Sequence, residues 1–132
     1  MRWNRSSADP RLNVLDLSDA EARTLSRHAS IVWAPAGREL FAEGVRRPQL
    51  VWLLSGHAVV TKAGVPVTVL GPGDVVGEIT MVTDQVVSTA DVVLLDDATV
   101  AALSVREWQV VAAEAPGLAD RLHSLAERRL AA

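Results

Sequence analysis

Residues 70–90 read L-G-P-G-D-V-V-G-E-I-T-M-V-T-D-Q-V-V-S-T-A. Three glycines fall within seven residues of this stretch: Gly71, Gly73 and Gly77. Glycines so close together, with a proline between the first two, predict turns with positive φ. Glu78 and a short apolar turn, 79–82, follow the last glycine, and a β-rich run follows them. A helical turn that begins at a glycine leaves N–H groups unbonded, which indicates a place for an anion.

The composition bounds the class of protein. A chain of 132 residues with 49% apolar residues is long and apolar enough for one domain with its own core. It has no cysteine, which excludes disulfides and thiolate metal sites. The net charge of −3 favours neither nucleic acid nor an anionic membrane as partner. No apolar run approaches the ~18–20 residues of a membrane span, so we expect a cytoplasmic protein.

Helices are predicted near both ends of the chain. A Ser-x-x-Glu capping box at 18–21 opens a helix over about 19–28, and a second at 104–107 opens one over about 105–113. Pro116 suits the first turn of a last helix. Three leucines of that helix recur at i, i+4 and i+7: Leu118, Leu122 and Leu125.

The segment between these helices has the apolar period of β-strands. Strands are predicted at 31–33, 39–41, 49–54, 57–62, 67–70, 86–94 and 98–103. Seven or eight short strands with a turn signal every 8–12 residues are typical of a sandwich or roll. Residues 1–11, with Arg2, Trp3 and Arg5, are predicted to form a loose terminal arm.

Three motifs occur in the order and spacing of a known family: R-E-L-F-A-E-G at 38–44, L-V-W-L-L-S-G at 50–56, and L-G-P-G-D-V-V-G-E-I at 70–79. From about Leu15 to Leu130 the chain resembles the cyclic nucleotide-binding domain family, as a catabolite-activator-like sensor domain without a DNA-binding domain. The resemblance implies a mainly β fold: an eight-stranded antiparallel β-roll of the jelly-roll type, with an N-terminal helix and two C-terminal helices. It divides the chain into an arm, 1–14, and a cyclic nucleotide-binding-like domain, 15–132.

The resemblance also implies a ligand, cAMP or cGMP, and the residues that would contact it: Val67, Leu70, Gly77, Glu78, Ile79, Thr80, Ser88 and Thr89. The first two would line the purine. Gly77 and Ile79 would offer backbone contacts, and Glu78 would accept a hydrogen bond from the ribose 2′-hydroxyl. The last two would help to bind the cyclic phosphate. We call residues 77–90 the cassette.

The cassette departs from the family pattern at one position. Relatives that bind cyclic nucleotides carry an arginine just before the small pair at 88–89, where this chain has Val87. Breaking a buried, hydrogen-bonded charge pair costs about 2–5 kcal/mol, whereas a helix N-terminus supplies about 0.3–1 kcal/mol and at most ~2. We therefore expect weak binding of cAMP or cGMP, or a different small anion as ligand.

Two alternatives stay open at this point. Glu78 could accept from a ribose, or it could cap the helical turn that follows it by bonding backbone N–H groups. The domain could also be a degenerate module that binds no nucleotide and acts in protein interaction, for example as a homodimer through Leu118, Leu122 and Leu125.

Other classes of function lack their motifs. His28, His57 and His123 are far apart in sequence, and the clustered histidines of a metal-binding cupin are missing. There is no G-x-S-x-G motif and no P-loop. We therefore expect no enzyme, no catalytic residue, no metal and no cofactor. We expect no direct binding of nucleic acid either, because the chain ends before a helix-turn-helix could begin.

Overall fold

The computed structural model describes residues 8–83 and 85–131 and has two four-stranded antiparallel sheets with helices at both ends. The sequence prediction of a mainly β roll with one N-terminal and two C-terminal helices is confirmed. The arm residues Arg2, Trp3 and Arg5, and Asp84 of the cassette, lie outside the described residues.

The eight strands are β1 (Ser30–Ala34), β2 (Glu39–Phe41), β3 (Gln49–Ser55), β4 (Ala58–Lys62), β5 (Val65–Leu70), β6 (Val75–Val76), β7 (Asp91–Leu94) and β8 (Ala98–Ser104). One sheet has the order β1-β8-β3-β6 and the other β2-β7-β4-β5. Every pairing is antiparallel, and apart from the hairpin β4–β5 each strand is followed in sequence by a strand of the other sheet, so the two sheets form a roll.

Strand β3 is buried on both faces. Its alternate side chains Leu50, Trp52 and Leu54 pack with the helices, in what we call the helix-side core. Val51 and Leu53 point the other way, into the inter-sheet core between the two sheets. Side chains alternate across a strand, so a strand with one core on each side needs a continuous apolar run. The run L-V-W-L-L meets that need.

Four α-helices complete the fold: α1 (Asp19–His28), α2 (Glu78–Val82), α3 (Val105–Glu114) and α4 (Pro116–Ala131). Both predicted capping boxes are present, with Ser18 bonded to Glu21 and Ser104 to Glu107 in both directions. Because these bonds span only three residues, they fix the first residues of α1 and α3 locally.

The N-terminal segment differs from the predicted loose arm in its described part. A 3₁₀ helix, Pro10–Val14, begins at an Asp9 cap. It buries Leu12 almost completely in the helix-side core. The N–H of Asp9 also donates to Ser26 Oγ of α1 at 3.0 Å. Burial of a leucine outweighs the local preference of a polar segment for an open coil.

The leucine stripe of α4 packs on the chain's own sheet. Leu118 and Leu122 are buried in the helix-side core, and Leu125 is half-buried against it. A homodimer through this stripe stays a prediction, and it would have to rely on the less buried end of α4.

Two predicted boundaries in the cassette region are wrong. The eighth strand, β6, has two residues and lies inside the stretch assigned to turns, where it pairs with Val51 and Trp52. The strand predicted at 86–94 is too long, because β7 begins only at Asp91. Of its two neighbouring strands, β2 ends at Phe41 and β4 ends at Lys62, opposite Ala90, so residues 86–89 have no neighbouring strand to continue the ladder. Ser88 bonds to the backbone of Gly44 and Val45 instead.

An ion pair fastens α1 to α4. Arg121 donates to Glu21 Oε1 at 2.8 Å and to Oε2 at 3.2 Å. The Arg121 guanidinium holds the pKa of Glu21 below its usual value. The side chain of Glu21 is 13% exposed and that of Arg121 is 50% exposed, so water screens the pair in part.

We predict that Arg121→Met lowers the free energy of unfolding by about 0.5–1 kcal/mol at pH 7. The pair depresses the pKa of a carboxylate, so its stabilisation is present above the unfolded pKa of glutamate, about 4.3, and is lost as the pH falls through the folded value. Urea unfolding of both proteins between pH 3 and 7 measures the difference. Arg128→Met, on the same helix, is the control, because Arg128 makes no ion pair with the described residues. A difference that does not shrink as the pH falls from 7 toward 3 would contradict the prediction.

Candidate functional site

A cavity of about 510 Å³ lies between the cassette and the inner face of the β2-β7-β4-β5 sheet. All eight residues that the sequence assigned to a ligand line it: Val67, Leu70, Gly77, Glu78, Ile79, Thr80, Ser88 and Thr89. The rest of the wall is mainly apolar, from Phe41, Val60, Val76, Ala90 and Val92. The fold therefore brings one strand pair and both ends of the cassette to a single hollow, and their role in binding stays a prediction.

Gly77 holds the cassette against β3. Its φ of +89° lies in the left-handed region. A Cβ there would clash with the carbonyl oxygen of Gln49 and lie 2.8 Å from Phe41 Cζ. Both the backbone conformation and the close approach require glycine, which fixes where α2 begins.

Glu78 is buried at the base of the cavity, with 1% of its surface exposed. Its Oε1 accepts a hydrogen bond from Arg129 Nη1 of α4 at 2.6 Å. The same Nη1 donates to the carbonyl oxygen of Val75 at 2.7 Å. Of the two alternatives left open for Glu78, the structure contradicts the capping one, since α2 has no side-chain cap and the carboxylate is paired with Arg129. A buried carboxylate needs such a partner because losing hydration is costly.

The hydroxyl groups of the cassette are largely engaged with the backbone. Thr80 Oγ1 donates to the carbonyl of Gly77, and Ser88 Oγ donates to that of Ala90 at 2.7 Å. A hydroxyl has one hydrogen to donate, so neither group can give a further donor to a ligand without breaking these bonds. Within residues 8–83 and 85–131, the hydroxyl of Thr89 makes no hydrogen bond.

Val87 lies beside the cavity, and its side chain is not part of the lining. Its carbonyl accepts a hydrogen bond from Gln85 Nε2 at 3.1 Å. The chain thus has no cation at this place, as the sequence indicated.

Two basic residues in the cavity wall were missed by the sequence analysis, Lys62 and Arg129. Arg129 is 51 residues from Glu78, and no local pattern connects them. Lys62 had a usable signal, because the alternation in β4 places it on the same face as Val60. Lys62, Arg129 and Glu78 together give the cavity wall one net positive charge.

The described ranges, 8–83 and 85–131, contain four α-helices. None of their helices is both long and apolar enough to span a bilayer. Those ranges also hold no group of three or more histidine, aspartate or glutamate side chains placed to bind a metal ion.

Comparison with known proteins places the chain in a family. The sequence model of the cyclic nucleotide-binding domain matches residues 31–114, which is more than half of the chain. The chain therefore belongs to the cyclic nucleotide-binding domain family, and the resemblance seen in the motifs is confirmed. No curated protein sequence matches the chain significantly.

Solved structures share the fold. The Catabolite Activator Protein of Thermus thermophilus has 24% identity over 92% of this chain and 58% of its own, with a TM-score of 0.76. The cAMP-bound PfPKA-R has 20% identity over 89% of this chain and 41% of its own, with a TM-score of 0.75. The regulatory subunit of a cAMP-independent protein kinase A from Trypanosoma brucei has 23% identity over 85% and 40%, with a TM-score of 0.69. The chain thus spans less than two thirds of each of these relatives.

We predict that Gly77→Ala lowers the free energy of unfolding by more than the cost of placing an alanine at a positive φ. Gly64→Ala is the matched control, because Gly64 also has a positive φ but has open space where a Cβ would be. The control is expected to lose about 1–2 kcal/mol, and Gly77→Ala a further 1–3 kcal/mol or so from the clash with β3. Urea unfolding measures both losses, and equal losses would show that the close approach at Gly77 is not required.

We predict that Glu78 and Arg129 are energetically coupled. Arg129→Met should destabilise by about 1–3 kcal/mol, below the value for a fully buried pair because the arginine side chain is 30% exposed. In a Glu78→Gln background the same change should cost less, because no buried charge is left unpaired. The double-mutant cycle is measured by denaturant unfolding. A coupling energy near zero would mean that the ion pair does not hold α4 to the cassette.

Proposed function

We propose that the chain is a regulatory module that binds a cyclic nucleotide, or a small anion of similar size and charge, in the cavity beside the cassette. The observation that carries the proposal is the cavity itself: it is open, and it is lined by all eight residues that the resemblance assigns to a ligand, although not by Val87, which stands where such relatives carry an arginine. The family to which the chain belongs and a relative with bound cAMP support the choice of ligand.

The charge of the cavity supports a singly charged ligand. Its wall carries one net positive charge from Lys62, Arg129 and Glu78, which balances the single negative charge of a cyclic phosphodiester. The apolar wall, including Val67 and Leu70, suits the flat face of a base. The roles proposed for Glu78, Ser88 and Thr89 at the ribose and the phosphate belong to the same proposal.

The expected affinity is low. The arginine missing at Val87 removes a contact that is worth about 2–5 kcal/mol in comparable charge pairs, roughly 30- to several-thousand-fold in affinity. The hydroxyls of Thr80 and Ser88 would also have to give up their backbone bonds before donating to a phosphate.

A ligand at this site would act on the last helix. Arg129 of α4 is held by Glu78, the residue proposed to contact the ribose. A ribose hydroxyl that donates a hydrogen bond to Glu78 would compete with Arg129 for the carboxylate. It would thereby alter the contact that joins α2 to α4. We propose that residues 79–83 and 118–130 move together when the ligand binds. By linkage, anything that shifts the position of α4 would then change the affinity for the ligand by the same factor.

The test is a calorimetric titration of the purified protein with cAMP and with cGMP up to about 1 mM. We expect weak saturable binding of at least one, and a gain of 10-fold or more in Val87→Arg, which adds the cation beside Ser88. Val86→Arg is the control. Val86 is 63% exposed, and the substitution adds the same charge one residue away from position 87. If neither nucleotide gives a heat of binding, the proposal of nucleotide binding is contradicted, and the description of the fold is unaffected.

A second candidate function is protein interaction through a degenerate site. The absent cation at Val87 and the engaged hydroxyls favour it. In that case the wild-type protein binds neither nucleotide, affinity appears only in Val87→Arg, and the chain dimerises or docks on a larger protein. Sedimentation velocity over a concentration series would show the homodimer. If the protein is a monomer at every concentration, the proposed homodimer is contradicted.

A further inference from the structure

Lys62 is the only lysine among the thirteen lysine and arginine residues of the chain. It lies near the end of β4, on the same face as Val60, and both side chains line the cavity. The face of β4 that is otherwise apolar therefore ends in a half-buried lysine that forms part of the cavity wall. That placement calls for a partner, because a lysine on a part-buried apolar wall loses hydration.

The strand register places Lys62 beside the end of the cassette. β4 pairs with β7 in antiparallel register, with Thr61 opposite Asp91. Continuing that register by one residue sets Lys62 opposite Ala90, and Ser88, Thr89 and Ala90 all line the same cavity. The ammonium group and the segment proposed to hold the phosphate thus belong to neighbouring parts of one wall.

The other charged groups of the wall already have partners. Arg129 donates through Nη1 to both Glu78 and the carbonyl of Val75. Lys62 forms no ion pair with any residue of 8–83 and 85–131. Within the described residues, Lys62 is the cation of this cavity whose charge is not balanced by a carboxylate.

We propose that Lys62 binds the anionic group of the ligand and supplies, from the sheet, the positive charge that the cassette lacks at Val87. The inference rests on the proposed function, because it names the residue that gives that site its anion affinity. A lysine is a compact point charge with three donors and lacks the planar fork of an arginine, so it suits one phosphate oxygen rather than a bidentate contact. Weak binding that depends on charge is the expected result.

The test compares cAMP affinity by calorimetry in the wild type, Lys62→Met and Lys62→Arg, with adenosine as the uncharged probe. Lys62→Met keeps the length of the side chain and removes its charge. We expect it to weaken cAMP binding by about 10- to 100-fold, as for a lost hydrogen bond to a charged group, and to leave adenosine binding unchanged. Lys62→Arg should retain most of the affinity. Arg23→Met is the control, because it removes an equal charge from the exposed face of α1.

The single lysine gives a second measurement. Brief acetylation of the wild-type protein, followed by mass spectrometry, reports the reactivity of Lys62 with the terminal amine as internal reference. Saturating cAMP should protect Lys62, and adenosine should protect it less.

The outcomes separate the two proposals. If cAMP binds the wild type and Lys62→Met equally, or if adenosine and cAMP lose affinity in parallel, the role of Lys62 is overturned and the proposed function stands. If the wild type binds no cyclic nucleotide, the proposed function fails and the inference about Lys62 fails with it.

Discussion

The burial of β3 on both faces is the constraint on which the rest of the structure depends. Its alternate side chains enter two separate cores, so the helices must cover one face and the second sheet the other. The same strand carries Gln49, whose carbonyl leaves no space for a side chain at residue 77. The position of the cassette is therefore set by the backbone of the central strand, and the cavity is what remains between the cassette and the β2-β7-β4-β5 sheet.

A buried carboxylate is paired with the last helix, which also packs through its apolar side chains. Glu78 is placed out of water by the start of α2, and an unpaired charge there would cost several kcal/mol. Arg129 balances it from near the end of α4 and bonds the carbonyl of Val75 as well. This pair joins a residue of the cavity wall to the last helix.

Membership of the family and the ability to bind a cyclic nucleotide are separate properties. The same roll occurs in a cAMP-bound relative and in a regulatory subunit of a cAMP-independent kinase. What distinguishes such domains is the set of charged and donor groups in the cavity, since a fold can host different ligands. In this chain the cation is absent at Val87, and two cations, Lys62 and Arg129, enter from a strand and from the last helix.

The sequence by itself determined the features that depend on nearby residues. The capping boxes predicted the first residues of α1 and α3, because their bonds join residues three apart. The strand and turn pattern and the family resemblance predicted the roll, and the resemblance predicted the eight residues that line the cavity. Four features became known only from the tertiary structure: the existence of strand β6, the irregular backbone of 85–90, the burial of Leu12 and the pairing of Glu78 with Arg129. A two-residue strand exists only because β3 lies beside it. The Glu78–Arg129 pair joins residues 51 positions apart, and no local sequence pattern connects them. The contact forms only when the fold brings α4 against the cassette.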